Sequence, residues 1–152
     1  MKGAYVLIIR VKQPVSVQIK SLGNISFDPG EWIYIGSAMG DGSTSLENRL
    51  ERHFRKDKTI YWHIDYLLDS VAELVEAIWT RSSRSIECDL VHLIDSHNDF
   101  IAGPNGFGSS DCKRGSSTHI YFYQGNNILR IVLIQSFQAL GFQPSFTQDG
   151  QI

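Results

Sequence analysis

A cluster of basic residues at positions 49–58 is the part of the sequence best suited to bind a phosphate group. The cluster holds five Arg or Lys residues and two acidic residues, and it follows a turn rich in Gly and Ser. A strand that leads through such a turn into a helix offers backbone N–H groups and charged side chains to an anion. We predict that Arg52, Lys56 and Lys58 contact a nucleic-acid backbone. An ordinary solvated helix surface is the alternative interpretation of the same pattern.

Arg49 and His53 lie one turn apart on the predicted helix, beside an apolar stripe. At about 100° per residue, the stripe consists of Leu46, Leu50 and Phe54. A side chain beside such a stripe is half-buried, so packing can hold it in place while its charged end faces a cleft. The pattern therefore makes Arg49 a candidate to bind a reacting phosphate, with His53 as its neighbour.

His63 and Asp65 form the first of two further candidate groups. On a strand their side chains would share one face and could bind a metal or orient a base, whereas on a helix they point apart. The surrounding block at 60–69 is rich in aromatic residues, and its apolar residues have helical spacing. We favour a short helix and a core histidine whose ring nitrogens are satisfied within the protein.

The second group combines Cys88, Cys112 and His119 with a carboxylate such as Asp111. These residue types can bind zinc. The sequence lacks a CxxC spacing, however, so we expect buried free thiols rather than a zinc site.

A Gly/Ser-rich segment at 102–118 is too long to be an ordinary connection inside a compact domain. Its residues Ser109, Ser110 and Asp111 could line a cleft and contact nucleic acid or a metal, with Ser110 as the candidate for the nucleic-acid contact. A mobile surface loop is the alternative interpretation.

The elements that position these residues are predicted from the periodicity of apolar residues. In chain order we predict a central strand at 3–11, a β-hairpin at 15–27, a strand at 31–36, a basic helix that begins near 43–45, a short helix within 60–69, a strand at 74–80, a helix from about 85 and a strand at 119–123. Residues 128–140 could form a last strand or a C-terminal helix, and we favour a helix at 133–140. The first 36 residues are expected to form a small antiparallel sheet. The result is a mixed α/β (α+β) fold whose small, mainly antiparallel central sheet is flanked by helices, with an inserted N-terminal β-hairpin.

Two helix starts have capping signals. Ser43, Thr44 or Ser45 could cap the basic helix, and Thr44 has the capping-box spacing to Glu47. Ser85 is predicted to cap the later helix.

Length and composition indicate one domain over 1–152. The chain has 152 residues, of which 42% are hydrophobic, and this is enough for one core. No apolar run approaches about 18 residues, so we expect no membrane span and no membrane partner. Two cysteines are more typical of a reducing compartment, which favours the cytoplasm. A net charge of −2 argues mildly against indiscriminate binding to nucleic acid.

Four residues in a fixed order carry a resemblance to a known superfamily. GAY at 3–5 and YIG at 34–36 look like the two half-motifs of the GIY-YIG nuclease superfamily, with Ala4 in place of the usual isoleucine. Arg49 and Glu87 lie where that superfamily keeps its arginine and its metal-binding glutamate. The order of these features is more specific than either tripeptide alone.

The resemblance narrows to a DUF123-type branch of that superfamily. Three stretches carry it, namely RLERHFRKDKTIYWHIDYLL, IEC at 86–88, and GFGSSDC at 106–112 followed by His119. It covers about 3–123 and leaves 124–152 as a C-terminal extension without an assigned role. It implies a GIY-YIG-like fold into which the N-terminal hairpin is inserted.

The resemblance implies a metal-dependent endonuclease that hydrolyses phosphodiester bonds of DNA, branched or damaged DNA included. Tyr5 would act as the base that activates water, with Tyr34 beside it. Arg49 would clamp the scissile phosphate and, together with His53, provide positive charge near Tyr5. Glu87 would hold one Mg²⁺ or Mn²⁺ ion. The simpler alternatives are cross-strand packing for the tyrosines and a favourable helix-dipole position for Glu87.

Two other functions stay open at this stage. A non-catalytic nucleic-acid-binding module would retain the fold, and the short chain and acidic net charge favour it. A protein-interaction domain would use the aromatic block at 61–66. For the nuclease, a partner protein or a second subunit could supply specificity.

Overall fold

β1 (Gly3–Val11) lies at the centre of the structure, a computed structural model that describes residues 1–108 and 117–152. All but one of its nine residues are buried, as expected for a run of apolar side chains that is covered on both faces. The strand pairs antiparallel with β4 (Gly30–Ala38) on one side and with β5 (Glu73–Arg81) on the other. The central strand predicted at 3–11 is therefore confirmed.

The central sheet has six strands in the order β6-β7-β4-β1-β5-β8, and every neighbouring pair is antiparallel. Its remaining strands are β6 (Phe100–Ala102), β7 (Ile120–Tyr123) and β8 (Ser145–Thr147). A separate hairpin consists of β2 (Val15–Ile19) and β3 (Gly23–Phe27). The helices are α1 (Leu46–Phe54), α2 (His63–Leu68), α3 (Glu87–Asp95) and α4 (Leu129–Ala139). The predicted mixed fold with a mainly antiparallel sheet, flanking helices and a hairpin is confirmed.

The two faces of β1 build two hydrophobic cores. Tyr5, Leu7 and Ile9 pack with α1, α2 and the hairpin, whereas the even-numbered residues between them pack with α3 and α4. Side chains alternate along a strand, so the division follows from their positions in the sequence. It directs the Tyr5 ring to the side of the sheet that holds α1, the helix of Arg49.

The N-terminal region differs from the prediction of one antiparallel sheet. β1 pairs directly with β4, while the hairpin between them forms its own two-stranded sheet. The hairpin buries Val15, Ile19 and Phe27 in the core on the α1 side. Its apolar face is therefore used to cover that core instead of extending the central sheet.

The predicted helix caps are confirmed for Ser45, one of the candidates at α1, and wrong for Thr44 and for Ser85. Thr44 ends a short 3₁₀ helix (Gly42–Thr44), so the cap of α1 is Ser45, whose side chain accepts an N–H from the first turn. At α3 the N-cap is Ile86, and no side chain caps the helix there. Ser85 lies one residue too early for the role predicted for it.

The C-terminal helix is confirmed in type but begins earlier than predicted, at Leu129. The short strands β6 and β8 were not predicted, because three residues give too little periodicity to detect. Within the described residues, no helix has the length and apolar character needed to cross a membrane.

Candidate active site

One pocket collects residues that are far apart in the sequence. Its volume is about 240 Å³, and Tyr5, Tyr34, Arg49 and Glu87 all line it. These residues come from β1, β4, α1 and α3, so four elements must dock before the pocket exists. The other lining residues are Gly36, Ser37, Tyr61, Trp62, His63 and Gly108. The structure thus brings together the four residues on which the family resemblance depends.

The pairing of β1 with β4 places Tyr5 opposite Gly36. A Cβ atom at position 36 would lie 2.5 Å from Tyr5 Cζ, so the ring fits only because position 36 has no side chain. The Tyr5 hydroxyl and His53 Nε2 are hydrogen-bonded at 2.8 Å, and both side chains are buried. The phenol oxygen is therefore fixed from two sides.

Burial raises the pKa of both tyrosines in the pocket. For Tyr5, the Arg49 guanidinium opposes this rise in pKa, whereas the Glu87 carboxylate adds to it. For Tyr34, the nearby Tyr5 and Glu87 reinforce the effect of burial on the pKa. Both phenols are therefore neutral near pH 7, and a base role for Tyr5 needs a proton acceptor or additional positive charge.

His53 is a neutral imidazole in the folded protein. Burial lowers its pKa to about 3. Asp65 opposes the shift, whereas Lys58, Arg52 and Arg49 reinforce it with their positive charges. The expectation that His53 would supply positive charge near Tyr5 is therefore wrong, because a buried imidazole surrounded by cations does not hold a proton near pH 7.

Ser37 connects Arg49 to Glu87, and sequence reasoning missed it. Its carbonyl oxygen accepts a hydrogen bond from Arg49 Nη1. Its hydroxyl donates to Glu87 Oε2 at 2.9 Å. One residue of β4 therefore orients the candidate phosphate-binding group and the candidate metal ligand together. Its place directly after the YIG half-motif is the sequence signal that could have identified it.

Glu87 is the residue that could hold a metal ion. Its Oε1 lies 3.1 Å from Nδ1 of the fully buried His119, and its side chain is 14% exposed. No group of three His, Cys, Asp or Glu residues within 1–108 and 117–152 could hold a metal. A single carboxylate still suits Mg²⁺ or Mn²⁺, which keep several waters and take only one or two carboxylates. The carboxylate has lone pairs beyond the one that Ser37 uses, so it fits such an ion.

Trp62 supports two guanidinium groups and was not predicted as a site residue. Arg49 Cζ lies 5.0 Å from the centre of the Trp62 ring, and Arg52 Cζ lies 4.4 Å from it. The ring also contacts the His53 ring, at 5.8 Å between centres. Trp62 therefore packs against the side chains that surround the Tyr5 hydroxyl.

Arg52 and Asp65 form a buried ion pair. The guanidinium donates two hydrogen bonds to the carboxylate, at 3.0 and 2.8 Å, and Asp65 has no exposed surface. Burial opposes ionisation of Asp65, but the Arg52 hydrogen bonds and the backbone N–H groups of Trp62 and Tyr61 outweigh it and lower the pKa of Asp65. Asp65 thus anchors the segment before α2.

His63 and Asp65 point apart, because the segment is helical as predicted. His63 Nε2 is hydrogen-bonded to the Ser21 hydroxyl at 2.8 Å, and His63 Nδ1 accepts the backbone N–H of Gly108 at 3.0 Å. Both ring nitrogens are therefore satisfied within the protein, as predicted, but the side chain is half-buried and lines the pocket, so the prediction of a core position is wrong. The hydrogen bond to His63 holds Gly108 against the Tyr34 ring. The ring lies so close that a Cβ atom at position 108 would have no room.

The two lysines predicted to contact nucleic acid differ in their surroundings. Lys58 donates to the backbone carbonyls of His53 and Arg55 at 2.8 Å each, and burial lowers its pKa. Lys56 is exposed. The predicted Ser110 contact lies outside the described residues.

The cysteine prediction is wrong at Cys88, which takes part in a disulfide bond and is not a free thiol. Spacing alone does not reveal such pairing. An oxidised sulfur is also no thiolate ligand for zinc. Cys112 and Asp111 lie outside the described residues.

The aromatic block at 61–66 exposes one aromatic side chain, that of Tyr61. Trp62 and Tyr66 are partly buried. The block therefore offers no broad apolar surface in the described part of the chain, which weakens the basis for a protein-interaction domain.

Comparison with known proteins identifies one family. No curated protein and no solved structure matches the chain. The protein-family model described as "Domain of unknown function DUF123" matches residues 4–142, which include all four predicted site residues and α4. Because the match covers most of the sequence, this chain belongs to the DUF123 family.

Proposed function

We propose that this protein is a metal-dependent endonuclease that hydrolyses phosphodiester bonds of DNA. The observation that carries the proposal is the single pocket lined by Tyr5, Tyr34, Arg49 and Glu87. These residues also carry the resemblance to the GIY-YIG nuclease superfamily. Phosphodiester hydrolysis needs a base, positive charge on the phosphoryl oxygens and help for the leaving alkoxide. The pocket offers a residue suited to each task.

Arg49 supports phosphate binding. The carbonyl of Ser37 and the ring of Trp62 hold its guanidinium in place. Its Nε atom is buried and has no hydrogen-bond partner within the described ranges. A buried charged donor without a partner is costly. The negative charge of a phosphodiester in the pocket would compensate the charge of this guanidinium.

Tyr5 and His53 support proton transfer. In the proposed reaction Tyr5 takes a proton from the attacking water and passes its own proton to His53 Nε2, 2.8 Å away. Burial and nearby cations make His53 a poor acceptor in the free protein, where its pKa is lowered to about 3. The negative charge of a phosphodiester at Arg49 would offset part of that positive charge and raise the proton affinity of His53. The transfer is therefore less unfavourable with substrate bound than in the free protein.

Glu87 supports metal-assisted chemistry. A divalent ion held there would supply positive charge for the leaving oxygen. The 2.9 Å hydrogen bond from Ser37 fixes the carboxylate. Such supporting contacts keep a ligand in the orientation that binding requires.

A non-catalytic nucleic-acid-binding module is the second candidate. A groove of about 390 Å³ lined by Arg52, Arg55 and Lys58, together with Asp57 and Thr59, favours it. This candidate predicts salt-sensitive binding that survives Glu87→Gln, without cleavage at any metal concentration.

Cleavage of end-labelled DNA tests the proposal. The substrates are single-stranded, duplex, flap and junction DNAs with Mg²⁺ or Mn²⁺. Arg49→Ala and Glu87→Gln are expected to lose about 100-fold or more of the activity, since removal of one group that stabilises a transition state costs roughly 10²–10³ in rate. Arg10→Ala and Glu73→Gln are matched controls, because they remove the same charges from exposed positions outside the pocket and the basic groove.

Each outcome separates the candidates, provided that urea unfolding shows every variant to be folded. Loss of cleavage in both pocket variants and not in the controls supports the nuclease and its site. Equal cleavage by all variants refutes the site, since the activity then comes from elsewhere. Salt-sensitive binding without cleavage by the wild type supports the binding module instead.

A further inference from the structure

We propose that Tyr61 stacks on an unpaired base of the substrate beside the phosphodiester that is cleaved. The substrate class is then a nucleic acid with an unpaired or displaced nucleotide at the cleavage site, rather than a fully stacked duplex. This inference rests on the proposed nuclease function and adds a residue that selects the substrate.

The exposure of Tyr61 is the first observation. Its side chain is 78% exposed although it lines the candidate active site. Seven large hydrophobic side chains are exposed in the described part of the chain, and Tyr61 is the one among them that lines this pocket. An exposed ring adds little to the core, but it can stack on any base, since every base has a π-face. Tyr61 therefore offers a stacking surface within the same pocket as Arg49 and Glu87.

The rigid attachment of Tyr61 is the second observation. The backbone N–H groups of Tyr61 and Trp62 both donate to Asp65 Oδ2 at 2.9 Å. Asp65 is fully buried and is itself held by Arg52. The Tyr61 ring meets the Trp62 ring edge-on, with 5.8 Å between centres. Because the backbone is already ordered, stacking on Tyr61 costs little conformational entropy.

Basic side chains line the pocket of Tyr61 and also a groove that includes a residue close to it in sequence. Arg49 lines the pocket that Tyr61 shares. The basic groove of Arg52, Arg55 and Lys58 also includes Thr59, two residues before Tyr61. A strand whose base stacks on Tyr61 can therefore place one phosphate at Arg49 and another at the basic groove. Aromatic stacking combined with a basic groove is the usual way in which proteins bind single-stranded nucleic acid.

Base pairing would oppose this contact. Both faces of a base inside a duplex are covered by its neighbours, so Tyr61 can reach a face only after the base leaves the stack. Extrusion is least costly for a base that is already unpaired. The geometry therefore favours an unpaired nucleotide.

Binding in EDTA, where a metal-dependent enzyme does not cleave, tests the inference. The probes are a DNA duplex with one unpaired 2-aminopurine and the same duplex fully paired, and the dissociation constant is measured by fluorescence anisotropy. Tyr61→Ala is expected to weaken binding of the unpaired probe by about 5- to 150-fold, as for removal of one stacking aromatic residue. Tyr61→Phe keeps the ring and should bind like the wild type. Val71→Ala is the matched control, because Val71 is 83% exposed and lies outside the pocket.

The outcomes distinguish this inference from the proposed function. A selective loss for the unpaired probe in Tyr61→Ala supports stacking, provided that 2-aminopurine fluorescence changes in the wild-type complex and not in the Tyr61→Ala complex. Unchanged binding affinity in Tyr61→Ala, or an equal loss of affinity for both probes, overturns the stacking role. If the wild type still cleaves DNA, that result does not contradict the proposed nuclease function. A wild-type protein that neither binds nor cleaves any DNA overturns both. Urea unfolding of Tyr61→Ala should match the wild type, since the ring is exposed.

Discussion

Adding one methyl group at Gly36 is expected to push the Tyr5 ring away from His53. A Cβ atom there would lie 2.5 Å from Tyr5 Cζ and 2.6 Å from its hydroxyl oxygen. Since carbon atoms pack best at about 3.5–4.0 Å, the ring must move by roughly 1 Å. That movement weakens the 2.8 Å hydrogen bond to His53. The backbone of Gly36 is not left-handed, so alanine would strain this contact and not the backbone.

The expected loss of stability in Gly36→Ala follows from three contributions. Overpacking a well-packed site costs about 1–3 kcal/mol. A weakened hydrogen bond adds up to about 1 kcal/mol. Alanine is favoured over glycine within a strand by roughly 0.5–1 kcal/mol, because the unfolded chain has less entropy to lose. The free energy of unfolding should therefore fall by about 1–3 kcal/mol.

Two further substitutions isolate the contact. Tyr5→Leu removes the three Tyr5 atoms that a Cβ at position 36 would meet, whereas Tyr5→Phe keeps the two ring carbons among them. Gly36→Ala should still destabilise Tyr5→Phe, but it should leave Tyr5→Leu unchanged or stabilise it by up to about 1 kcal/mol. Urea unfolding followed by tryptophan fluorescence measures each free energy. Equal losses in the wild type, Tyr5→Phe and Tyr5→Leu would refute the reasoning.

Three further outcomes test other contacts of the site. Ser37→Ala removes the hydroxyl that holds Glu87 and should lower metal affinity or cleavage by about 10- to 100-fold. A Mg²⁺ titration of cleavage measures both quantities. Unchanged values would exclude the supporting role of Ser37. Asp65→Ala leaves Arg52 without its buried partner and should lower the free energy of unfolding, measured with urea, by about 3–5 kcal/mol. A decrease of less than about 1 kcal/mol would show that the pair contributes no more than an exposed ion pair does. The pKa of His53 is lowered from 6.5 to about 3, so the unfolded chain binds more protons and stability should fall as the pH drops through this window. The free energy of unfolding should change by up to about 1.4 kcal/mol per pH unit in this window. This dependence on pH should be smaller in His53→Gln.

The sequence predicts those features of the fold that local pattern controls. The apolar run of β1 and the alternation of its side chains indicate a central strand with Tyr5 on one face. The apolar stripe of α1 likewise fixes which side of the helix packs on the core. Each of these two patterns extends over nine residues, so one residue that departs from the pattern does not change the prediction.

The supporting residues of the site could not be predicted in the same way. Ser37 contacts Glu87 from 50 positions away, and Trp62 lies 13 positions beyond Arg49 on a different segment. Such contacts depend on strand register and on how the helices dock, neither of which leaves a local pattern. The capping box at Thr44 was wrong for a smaller reason, since a short 3₁₀ helix ends at that residue and the N-cap of α1 is the neighbouring candidate, Ser45.

The charges of the pocket link phosphate binding to metal binding. Burial lowers the pKa of both histidines that border the site, His53 and His63, and raises the pKa of both tyrosines, so all four are neutral near pH 7. The charged groups that remain are Arg49 and Glu87, which balance each other. A phosphodiester then adds a negative charge to a partly buried site, where charge is poorly screened. A divalent cation beside Glu87 would restore a positive balance. Under the proposed function, substrate and ion therefore strengthen each other's binding, because such coupling is reciprocal.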